Sequence, residues 1–529
     1  MNTAGAIAKT LAGAGIQKTF GLPGGEVLVL IDELRKAGVD FVLMRHEANA
    51  GLAAAVYGKL KRQPGVVIAT LGPGAANLLL PVANAYLDQE PLLALTAQLP
   101  DDFPPSHTHQ LLPLHETYQP MCRVVDTITH QNADDVIERA LTACMDRPYG
   151  VSFVTLSARE AIRDVRLSAA SSARPPVRPM TNPADRAADL RARCAIAKRP
   201  MVLVGLGIEA HNAERLRRWV NDWQLPVAVT PKVKGIVDET LPNFIGVISG
   251  MAADSVMVDA LKAADLLIGV GLDPVEIDKT WHAELDIQWV LEAPNATGVV
   301  PDSVILVDHA PLLEALAVGP APANWGRPFA EYQKKRAELL TGTAGAPNTM
   351  WPGDIIQALS RVMPPETIVT TDVGSHKYLF GQYWPSRQPE TFWMSNGLSG
   401  MAYGLSAAIG AKLARPDVPV LAAVGDGGFS MNAQELETAE RVGAPFITVV
   451  LEDSSYSLIK LAQENRKLEP YRMDFGPIDN VKMAEACGVE AIRTTNPDEL
   501  AASVSRAVDR GKSLVVAVPV HYADYRKLF

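Results

Sequence analysis

Short, continuous runs of apolar and β-branched residues alternate along the chain with longer stretches of helical spacing. The clearest runs lie at 66–70, 92–96, 201–205, 266–271, 420–424 and 446–452. Continuous apolar runs bounded by turn residues are typical of strands buried on both faces of a parallel sheet. Because helices alternate with these strands, the pattern predicts an α/β fold built from doubly wound parallel sheets.

Two stretches rich in Pro, Gly, Ser and Ala interrupt the alternation, at 166–185 and 318–347. Such stretches separate folded units, and the second encloses a charged helical segment, FAEYQKKRAELL. The length of 529 residues fits about three domains of roughly 150 residues each. We therefore predict an N-terminal domain at 1–165, a central domain at 186–318 and a C-terminal domain at 348–529.

Residues 57–74 and 409–427 show the same order of features. Each has a helix end with Gly and Lys-Leu, a break at Pro, an apolar strand and a Gly-rich turn. Two interpretations stay open. Two α/β units share this punctuation by coincidence, or one domain is duplicated at each end of the chain around a different central domain.

Composition narrows the class of protein. A chain with 48% hydrophobic and 20% charged residues is globular, not disordered or fibrous. Its 49 Lys and Arg against 59 Asp and Glu give a formal net charge of −10. Because no long basic run is present, we expect no nucleic-acid partner. No apolar run approaches about 20 residues, so we expect no membrane partner either.

Cysteine usage and the N-terminus predict the compartment. The four cysteines form no Cys-x-x-Cys pair, which favours reduced thiols over a disulfide framework or a zinc site. The first 16 residues have the pattern of an amphipathic helix and lack the basic and apolar regions of a signal peptide. Both features predict a cytoplasmic protein.

The strongest local signal is a Gly-Asp-Gly-Gly turn at 425–428, directly after the predicted strand at 421–424. The next helix is predicted to begin near Asn432, because Asn432 and Glu435 have capping-box spacing. Gly443 is predicted to end that helix. A second strand then follows and ends in an acidic pair.

Asp426 and Asp453 therefore follow the ends of two consecutive predicted strands. Ligands of open α/β sheets bind at the carboxyl ends of the strands. Mg²⁺ prefers hard oxygen ligands and often takes only one or two from protein side chains, with phosphate and water supplying the rest. We expect these carboxylates, beside glycines whose N–H groups are free to meet phosphate, to bind Mg²⁺ and a diphosphate.

This arrangement resembles the thiamine-diphosphate motif, in which a second metal ligand follows the Asp of Gly-Asp-Gly by 27 residues, here Asp453. The commoner family residue there is Asn, and Asp is similar to the residue of catabolic acetolactate synthases. The resemblance implies Mg²⁺ ligands and contacts to thiamine diphosphate. The implied metal ligands are Asp426, Asp453 and the carbonyl of Ser455, and the implied cofactor contacts here are Gly427, Gly428 and Tyr456.

The segment Arg45-His46-Glu47-Ala48 resembles the one that supplies the catalytic glutamate of this family, and TLGPGAAN at 70–77 resembles its TSGPGxxN loop. The resemblance implies that Glu47 hydrogen-bonds N1′ of the aminopyrimidine. This contact favours the imino tautomer, which deprotonates C2 of the thiazolium. Glu47 of one chain would reach the cofactor held by another.

Two further segments resemble cofactor-binding parts of the family. The sequence DVGSH resembles the turn that meets the diphosphate in acetohydroxyacid synthases, which implies contacts from Gly374, Ser375 and His376. The sequence SNGLSGMAYG resembles the segment around the middle of the cofactor. There Met401 would wedge between the two rings, and the carbonyl of Ser399 would accept from the 4′-amino group.

The resemblance covers essentially the whole chain and is closest to acetolactate synthases of the catabolic type, through 108–110, 118–120, 271–276 and 518–529. It implies pyrimidine-binding, central and diphosphate-binding domains in a homodimer or homotetramer with active sites at the subunit interface. Gln110 matches an active-site glutamine of the family. Many acetolactate synthases carry a longer C-terminal tail over the site, so we expect a more open pocket here.

The expected reaction is decarboxylation of a small-molecule 2-oxo acid, pyruvate, with carboligation to a second carbonyl. A non-oxidative 2-oxo-acid decarboxylase or an acyloin lyase is the alternative, and a flavin oxidase or a non-catalytic regulatory subunit ranks lower. FAD is not excluded but not favoured. Lys460 either pairs with a substrate carboxylate or is a solvated helix residue. His107, His109 and His115 are more readily explained as non-catalytic.

Overall fold

Three six-stranded parallel sheets, each flanked by helices, carry the fold, and the predicted α/β class of doubly wound sheets is confirmed. The structure, a computed structural model, describes residues 1–100, 103–104, 106–165, 180–250, 252–276, 280–293, 304–341, 346–522 and 525–528. No helix in this described part of the chain is both long and apolar enough to cross a membrane.

The first sheet lies in the N-terminal part of the chain, and its strands β3, β4 and β6 are buried throughout. Its strands are β1 (Lys18–Gly21), β2 (Asp40–Leu43), β3 (Gly65–Ala69), β4 (Leu92–Ala97), β5 (Cys122–Ile128) and β6 (Val151–Leu156). The helices are α1 (Thr3–Gly13), α2 (Leu28–Lys36), α3 (Glu47–Lys61), α4 (Pro73–Asn77), α5 (Leu79–Leu87), α6 (Leu114–Tyr118), α7 (Ala133–Met145) and α8 (Ala158–Ala161), with a 3-10 turn at Gly25–Val27.

The second sheet lies in the middle of the chain. Its strands are β7 (Pro200–Val204), β8 (Val227–Val229), β9 (Phe244–Val247), β10 (Leu266–Val270), β11 (Ile287–Leu291) and β12 (Val304–Leu306). The helices are α9 (Pro183–Ile196), α10 (Ala213–Asp222), α11 (Asp254–Lys262), α12 (His309–Leu316) and α13 (Ala330–Leu340), with 3-10 turns at Ala210–Asn212, Pro231–Val233, Pro274–Glu276 and Thr280–Glu284. The charged segment predicted as a helix forms α13.

The third sheet lies in the C-terminal part. Its strands are β13 (Ile368–Thr371), β14 (Phe392–Met394), β15 (Val420–Gly425), β16 (Ile447–Glu452), β17 (Glu490–Arg493) and β18 (Leu514–Pro519). The helices are α14 (Pro352–Val362), α15 (Ser375–Tyr383), α16 (Tyr403–Ala414), α17 (Asp426–Asn432), α18 (Glu435–Arg441), α19 (Ser457–Asn465), α20 (Asn480–Ala486) and α21 (Pro497–Asp509), with a 3-10 turn at Tyr525–Leu528.

Strand order relates the first and third sheets. The first runs β2-β1-β3-β4-β6-β5 and the third β14-β13-β15-β16-β18-β17, the same order counted from each sheet's first strand. The second runs β12-β11-β10-β7-β8-β9. This agrees with a duplicated domain around a different central one. The order reverses between β1 and β3, between β7 and β10 and between β13 and β15, where open α/β sheets bind ligands.

The chain packs into two compact units. One contains the first sheet together with Leu398–Pro416 and Gln434–Ala444, which include α16 and α18. The other contains the second and third sheets. Within the first unit, α16 packs along α3.

The connection after β15 differs from its prediction. Helix α17 begins at Asp426 itself and ends at Asn432, and α18 begins at Glu435 without a side-chain cap. The predicted capping box is therefore wrong, because the Glu435 carboxylate accepts hydrogen bonds from Arg45 and Asn49 instead. The predicted helix end is confirmed at Gly443, where φ is 67°.

The predicted linkers are described only in part. Residues 166–179 of the first lie outside the described residues, and α9 already begins at Pro183 behind the capping side chain of Asn182. Residues 342–345 of the second also lie outside the described residues. The three domain limits stay predictions.

Candidate functional site

The carboxyl edge of the third sheet gathers three acidic residues. Strands β13, β15 and β16 are neighbours in that sheet, and each is followed directly by an aspartate. These aspartates are Asp372, Asp426 and Asp453. They lie at and beside the point where the strand order reverses, which favours ligand binding at this edge.

The Asp426 carboxylate is held by the turn that carries Asp453. Its Oδ2 accepts hydrogen bonds from the backbone N–H groups of Asp453 at 3.2 Å and of Ser454 at 2.7 Å. The Asp453 carboxylate accepts from the Ser455 N–H at 3.2 Å and from the Ser457 hydroxyl. Hydrogen bonds, mostly from backbone N–H groups, therefore hold both predicted metal-binding carboxylates in place.

Burial of these two carboxylates favours a cation between them. It raises the pKa of Asp426 to about 6, and the Asp453 charge adds to that increase. Burial also raises the pKa of Asp453. Within the described residues no group of three or more His, Cys, Asp or Glu could hold a metal. Two protein carboxylates suit Mg²⁺ that takes its other oxygens from a diphosphate and water, so the residues fit this ion.

Side chains pack closely against Gly427 and Gly428 and leave little space for a Cβ. A Cβ on Gly428 would lie 2.1 Å from Asp372 Oδ2, and one on Gly427 would lie 2.9 Å from Tyr456 Cε1. The Gly427 N–H donates to Asp426 Oδ1 at 2.9 Å. The expectation that this N–H is free to meet phosphate is therefore wrong, whereas the close side chains favour glycine at both positions.

His376 is buried beside the same turn, in the first turn of α15. A Cβ on Gly425 would lie 3.1 Å from His376 Cε1, and one on Gly374 would lie 2.8 Å from it. Burial lowers the pKa of His376 to about 4, so the imidazole is neutral at pH 7. Its buried Nε2 has no hydrogen-bond partner among the described residues. A buried polar atom of this kind fits a site that a bound diphosphate completes. The adjacent Ser375 is buried as well.

The turn after β16 carries Ser455 and Tyr456. Ser454 has a left-handed φ of 54°, and two backbone bonds hold the turn. Tyr456 N–H donates to Met473 O at 2.9 Å, and Phe475 N–H donates to Ser454 O at 3.0 Å. The Tyr456 ring lies 5.3 Å from that of Phe475. The cofactor and metal roles of Ser455 and Tyr456 stay predictions.

Two more side chains belong to this edge. Lys460 on α19 binds both carboxylate oxygens of Asp474 at 3.0 Å. This exposed ion pair favours the interpretation as a helix residue at the surface, and the role of Lys460 stays a prediction. Tyr522 was missed. Burial raises the pKa of its phenol, and the charges of Asp453 and Asp426 add to this. Its one sequence signal is its position soon after β18, which pairs with β16.

In the first unit, Glu47 begins α3 and is only 6% exposed. Its Oε2 accepts a hydrogen bond from Asn77 Nδ2 at 2.9 Å. A Cβ on Gly74 would lie 3.3 Å from its Oε1. Glu47 therefore contacts the 70–77 segment. The structure thus brings together the 45–48 and 70–77 motifs, which the resemblance had linked. Asn77 lies in that motif but was not proposed as a site residue.

Gln110 contacts the same segment. It has a left-handed φ of 59°, and a Cβ on Gly72 would lie 2.8 Å from Gln110 Cβ. The Thr70 hydroxyl donates to a Glu26 carboxylate oxygen at 2.5 Å. Glu26 is therefore a second carboxylate beside the 70–77 segment. It could not be predicted, because nothing in the sequence of its own turn indicates that Thr70 is its partner.

The histidines near Gln110 either contact other side chains or are exposed to solvent. His115 Nε2 lies 3.2 Å from Thr155 Oγ1 and 3.4 Å from Thr127 Oγ1. The His107 ring lies 5.0 Å from the Phe103 ring, and His109 is exposed. These contacts favour the non-catalytic interpretation, which stays a prediction.

Ser399 and Met401 belong to the same unit as Glu47, in the segment before α16. Ser399 and Ala402 have left-handed φ values of 54° and 68°, so the chain bends tightly on both sides of Met401. A Cβ on Gly400 would lie 3.7 Å from Leu80 Cδ1. The wedge and carbonyl roles of Met401 and Ser399 stay predictions.

The switch-point crevice of the second sheet, between β7 and β10, is filled by the chain itself. The Gly207 N–H donates to Gly271 O at 2.8 Å. A Cβ on Gly205 would lie 2.5 Å from Leu272 Cα. The two loops therefore touch through their backbones where a dinucleotide would need space.

Glu276 closes the same crevice. Its carboxyl group accepts from the Leu206 N–H at 2.8 Å and from the Thr230 hydroxyl at 2.5 Å. Burial raises its pKa to about 8, so it is mostly protonated at pH 7. Backbone contacts and the Glu276 carboxyl group therefore occupy this crevice.

Three family models match the chain in order. They are the N-terminal TPP binding domain of thiamine pyrophosphate enzymes at 1–117, their central domain at 188–306 and their C-terminal TPP binding domain at 372–518. The last range contains Asp426 and Asp453. The matches follow one another along the chain in the order of the three sheets.

Full-length relatives also match. The chain is 29% identical to an acetolactate synthase of Bacillus subtilis (strain 168), over 96% of this chain and 91% of the relative. It is 28% identical to a catabolic acetolactate synthase of Raoultella terrigena, over 98% and 95%. It is 30% identical to an acetolactate synthase large subunit of Corynebacterium glutamicum, over 96% and 84%.

Proposed function

The chain belongs to the thiamine pyrophosphate enzymes, as a member of their acetolactate synthase type, and we propose that it decarboxylates pyruvate and joins the two-carbon product to a second carbonyl. The observation that carries the proposal is the Asp426–Asp453 pair at the ends of two adjacent parallel strands. A pair of buried carboxylates at a switch point suits a metal-bound diphosphate.

The proposed cofactors are thiamine diphosphate and Mg²⁺. Asp426, Asp453 and the Ser455 carbonyl would bind the metal. The diphosphate would lie against Gly374–His376 and the 427–428 turn, where His376 Nε2 is buried without a partner among the described residues. Tyr456, Ser399 and Met401 would contact the rest of the cofactor. When bound, thiamine diphosphate supplies a carbon nucleophile and an electron sink.

Glu47 would act as the proton-transfer residue. Its carboxylate is buried and is oriented by Asn77 Nδ2 at 2.9 Å. A buried, oriented carboxylate can take and return a proton at one oxygen while the other keeps its hydrogen bond. Gln110, which contacts the segment 70–77 that bears Asn77, would face the substrate side.

Three domains and an oligomer complete the proposal. Residues 1–165 would bind the pyrimidine, 348–529 the diphosphate, and 186–318 would connect them. In a homodimer or homotetramer, Glu47 of one copy would act on the cofactor held by Asp426 of another. All four cysteines lie in the described residues, and none forms a disulfide there, which supports a reducing compartment, the cytoplasm.

A flavin has no place in this proposal. The crevice of the second sheet is closed by backbone contact between Gly207 and Gly271 and by Glu276. The absorbance spectrum of the purified protein tests this point, because a stoichiometric flavin band would contradict it.

The product decides between carboligase and decarboxylase. The protein is incubated with thiamine diphosphate, Mg²⁺ and pyruvate, and acetolactate is separated from acetaldehyde. Acetolactate as the main product supports the proposal. Acetaldehyde alone would favour a non-oxidative decarboxylase, and untouched pyruvate with bound cofactor would mean another substrate.

A further inference from the structure

Glu435 is a buried carboxylate that the proposed chemistry leaves without a role. It begins α18 and is fully buried. Its Oε1 accepts from the Arg45 N–H at 3.1 Å and from Asn49 Nδ2 at 2.8 Å, and its Oε2 accepts from the Thr438 hydroxyl at 2.8 Å. A buried carboxylate with three donors is strongly constrained in position.

Two of these donors flank Glu47. Arg45 lies two residues before it and Asn49 two residues after it, on either side of the start of α3. Arg45 donates through its backbone N–H just before the N-cap residue His46, and Asn49 donates through its side-chain amide. One carboxylate therefore holds both ends of the short stretch that presents Glu47.

Asn49 is fixed from its other side as well. Its Oδ1 accepts a hydrogen bond from the Ser406 hydroxyl at 3.2 Å. Ser406 lies on α16, which packs along α3 in the same unit. Because both polar ends of the Asn49 amide are engaged in a buried place, the amide cannot rotate away from Glu435 without losing two bonds.

The rim of this network is exposed. Glu437 binds the Arg45 guanidinium at 2.6 Å and Arg441 Nε at 3.0 Å. Arg441 also donates to Leu43 O at 2.7 Å. Exposed ion pairs of this kind contribute little. Glu437 is therefore a matched control for Glu435 on the same helix and against the same segment.

From this geometry we infer that Glu435 is a positioning residue that sets the place of the Glu47 carboxylate through Arg45 and Asn49. The inference rests on the proposed role of Glu47. A displacement of about 1 Å of a catalytic group costs on the order of 10²-fold in rate. Glu435 acts by its shape and its acceptor oxygens, so its negative charge is not required.

The variants separate shape from charge. Glu435→Gln keeps one oxygen for the Arg45 N–H and the Asn49 amide, and its new N–H₂ group can donate to the Thr438 hydroxyl. Glu435→Ala removes every acceptor, and Asn49→Ala removes one link if the first variant folds poorly. Glu437→Gln and Asn243→Ala are controls. Asn243 is a buried amide that donates to Val220 O and Leu225 O.

Two readouts on the protein need no 2-oxo acid. The first is backbone amide exchange of residues 45–50. The second is hydrogen–deuterium exchange at C2 of bound thiamine diphosphate, which reports proton transfer that depends on Glu47. If wild-type C2 exchange is no faster than in free cofactor, the proposed role of Glu47 fails. Amide exchange at 45–50 would still test the positioning.

We expect Glu435→Ala and Asn49→Ala to speed amide exchange at 45–50 and to slow C2 exchange, by about 10²-fold for Glu435→Ala. Glu435→Gln, Glu437→Gln and Asn243→Ala are expected to stay near wild type in both readouts. Equal damage by Glu435→Gln and Glu435→Ala would overturn the inference, because charge would then be required. Unchanged amide exchange at 45–50 in Glu435→Ala would overturn it as well.

Discussion

The backbone N–H of Asp453 donates to Asp426 Oδ2 at 3.2 Å. The second predicted metal ligand thus holds the first through its main chain. The two residues meet because β15 and β16 pair in parallel, with Gly425 opposite Leu451. This bond does not depend on the Asp453 side chain, whereas it is lost when the Asp426 carboxylate is removed.

Replacing the two aspartates should therefore have unequal effects. Asp453→Asn keeps a side-chain oxygen and the backbone bond, so its Mg²⁺ affinity should fall by less than about tenfold. Asp426→Ala loses a ligand and leaves the N–H groups of Gly427, Asp453 and Ser454 without this acceptor. Its affinity should therefore fall by at least about 100-fold. Tryptophan fluorescence, titrated with Mg²⁺ in the presence of thiamine diphosphate, measures both. Equal losses in the two variants would contradict this account.

Gly428→Ala should destabilise the protein and weaken cofactor binding. The new Cβ would lie 2.1 Å from Asp372 Oδ2, and overpacking of this kind costs about 1–3 kcal/mol. Gly13→Ala is the control, because a Cβ there meets nothing within 4 Å at the end of α1. Thermal unfolding should show a lower Tm for Gly428→Ala only. A Tm equal to wild type would show that Asp372 moves aside freely.

Lys460→Ala should leave the KM for pyruvate within about twofold of wild type. The ammonium group is already paired with both oxygens of Asp474 at 3.0 Å, and an exposed pair contributes at most about 1 kcal/mol. Steady-state kinetics of the variant measures this. A KM raised tenfold or more would assign Lys460 to the substrate carboxylate.

Glu276 should make stability depend on pH. Burial raises its pKa from 4.5 to about 8 in the folded protein, so the folded state binds the proton more tightly than the unfolded chain. The stabilisation is complete below about pH 4.5 and is lost as pH rises through about 8. Each tenfold difference in proton affinity corresponds to about 1.4 kcal/mol.

Glu276→Gln mimics the protonated carboxyl group and removes this titration. Its Tm should fall less than that of wild type between about pH 5 and pH 9. Glu314→Gln is the control, because Glu314 is an exposed residue of α12 that pairs with Arg215. Parallel Tm curves for wild type and Glu276→Gln would show that Glu276 is ionised in the folded protein at neutral pH.

The site residues that could be predicted from the sequence are those that directly follow the end of a predicted strand. Asp426 and Asp453 each follow a predicted strand, and the carboxyl ends of adjacent parallel strands meet at one edge whatever the details of packing. Glu47 and the 70–77 segment were linked only by resemblance, and the structure brings them into contact. The α/β class followed from the alternation of elements.

The contacts of residues whose partners lie far away in the sequence could not be predicted. Glu435 has local capping-box spacing with Asn432, yet its donors Arg45 and Asn49 lie 390 and 386 positions earlier. A buried partner outweighs a local cap, because an unsatisfied buried N–H costs more than a helix end left to water. The Lys460–Asp474 pair, 14 positions apart, likewise has no signal in the local sequence pattern.

In the proposed function, Glu47 activates thiamine diphosphate for attack on a 2-oxo acid. The most direct test of this role is the pyruvate-dependent release of CO₂ by wild type and Glu47→Gln, each saturated with thiamine diphosphate and Mg²⁺. We expect release by wild type and a rate lower by about 10²- to 10⁴-fold in Glu47→Gln, with cofactor binding and Tm retained. A Glu47→Gln rate within a few-fold of wild type, or no release by wild type, would contradict it.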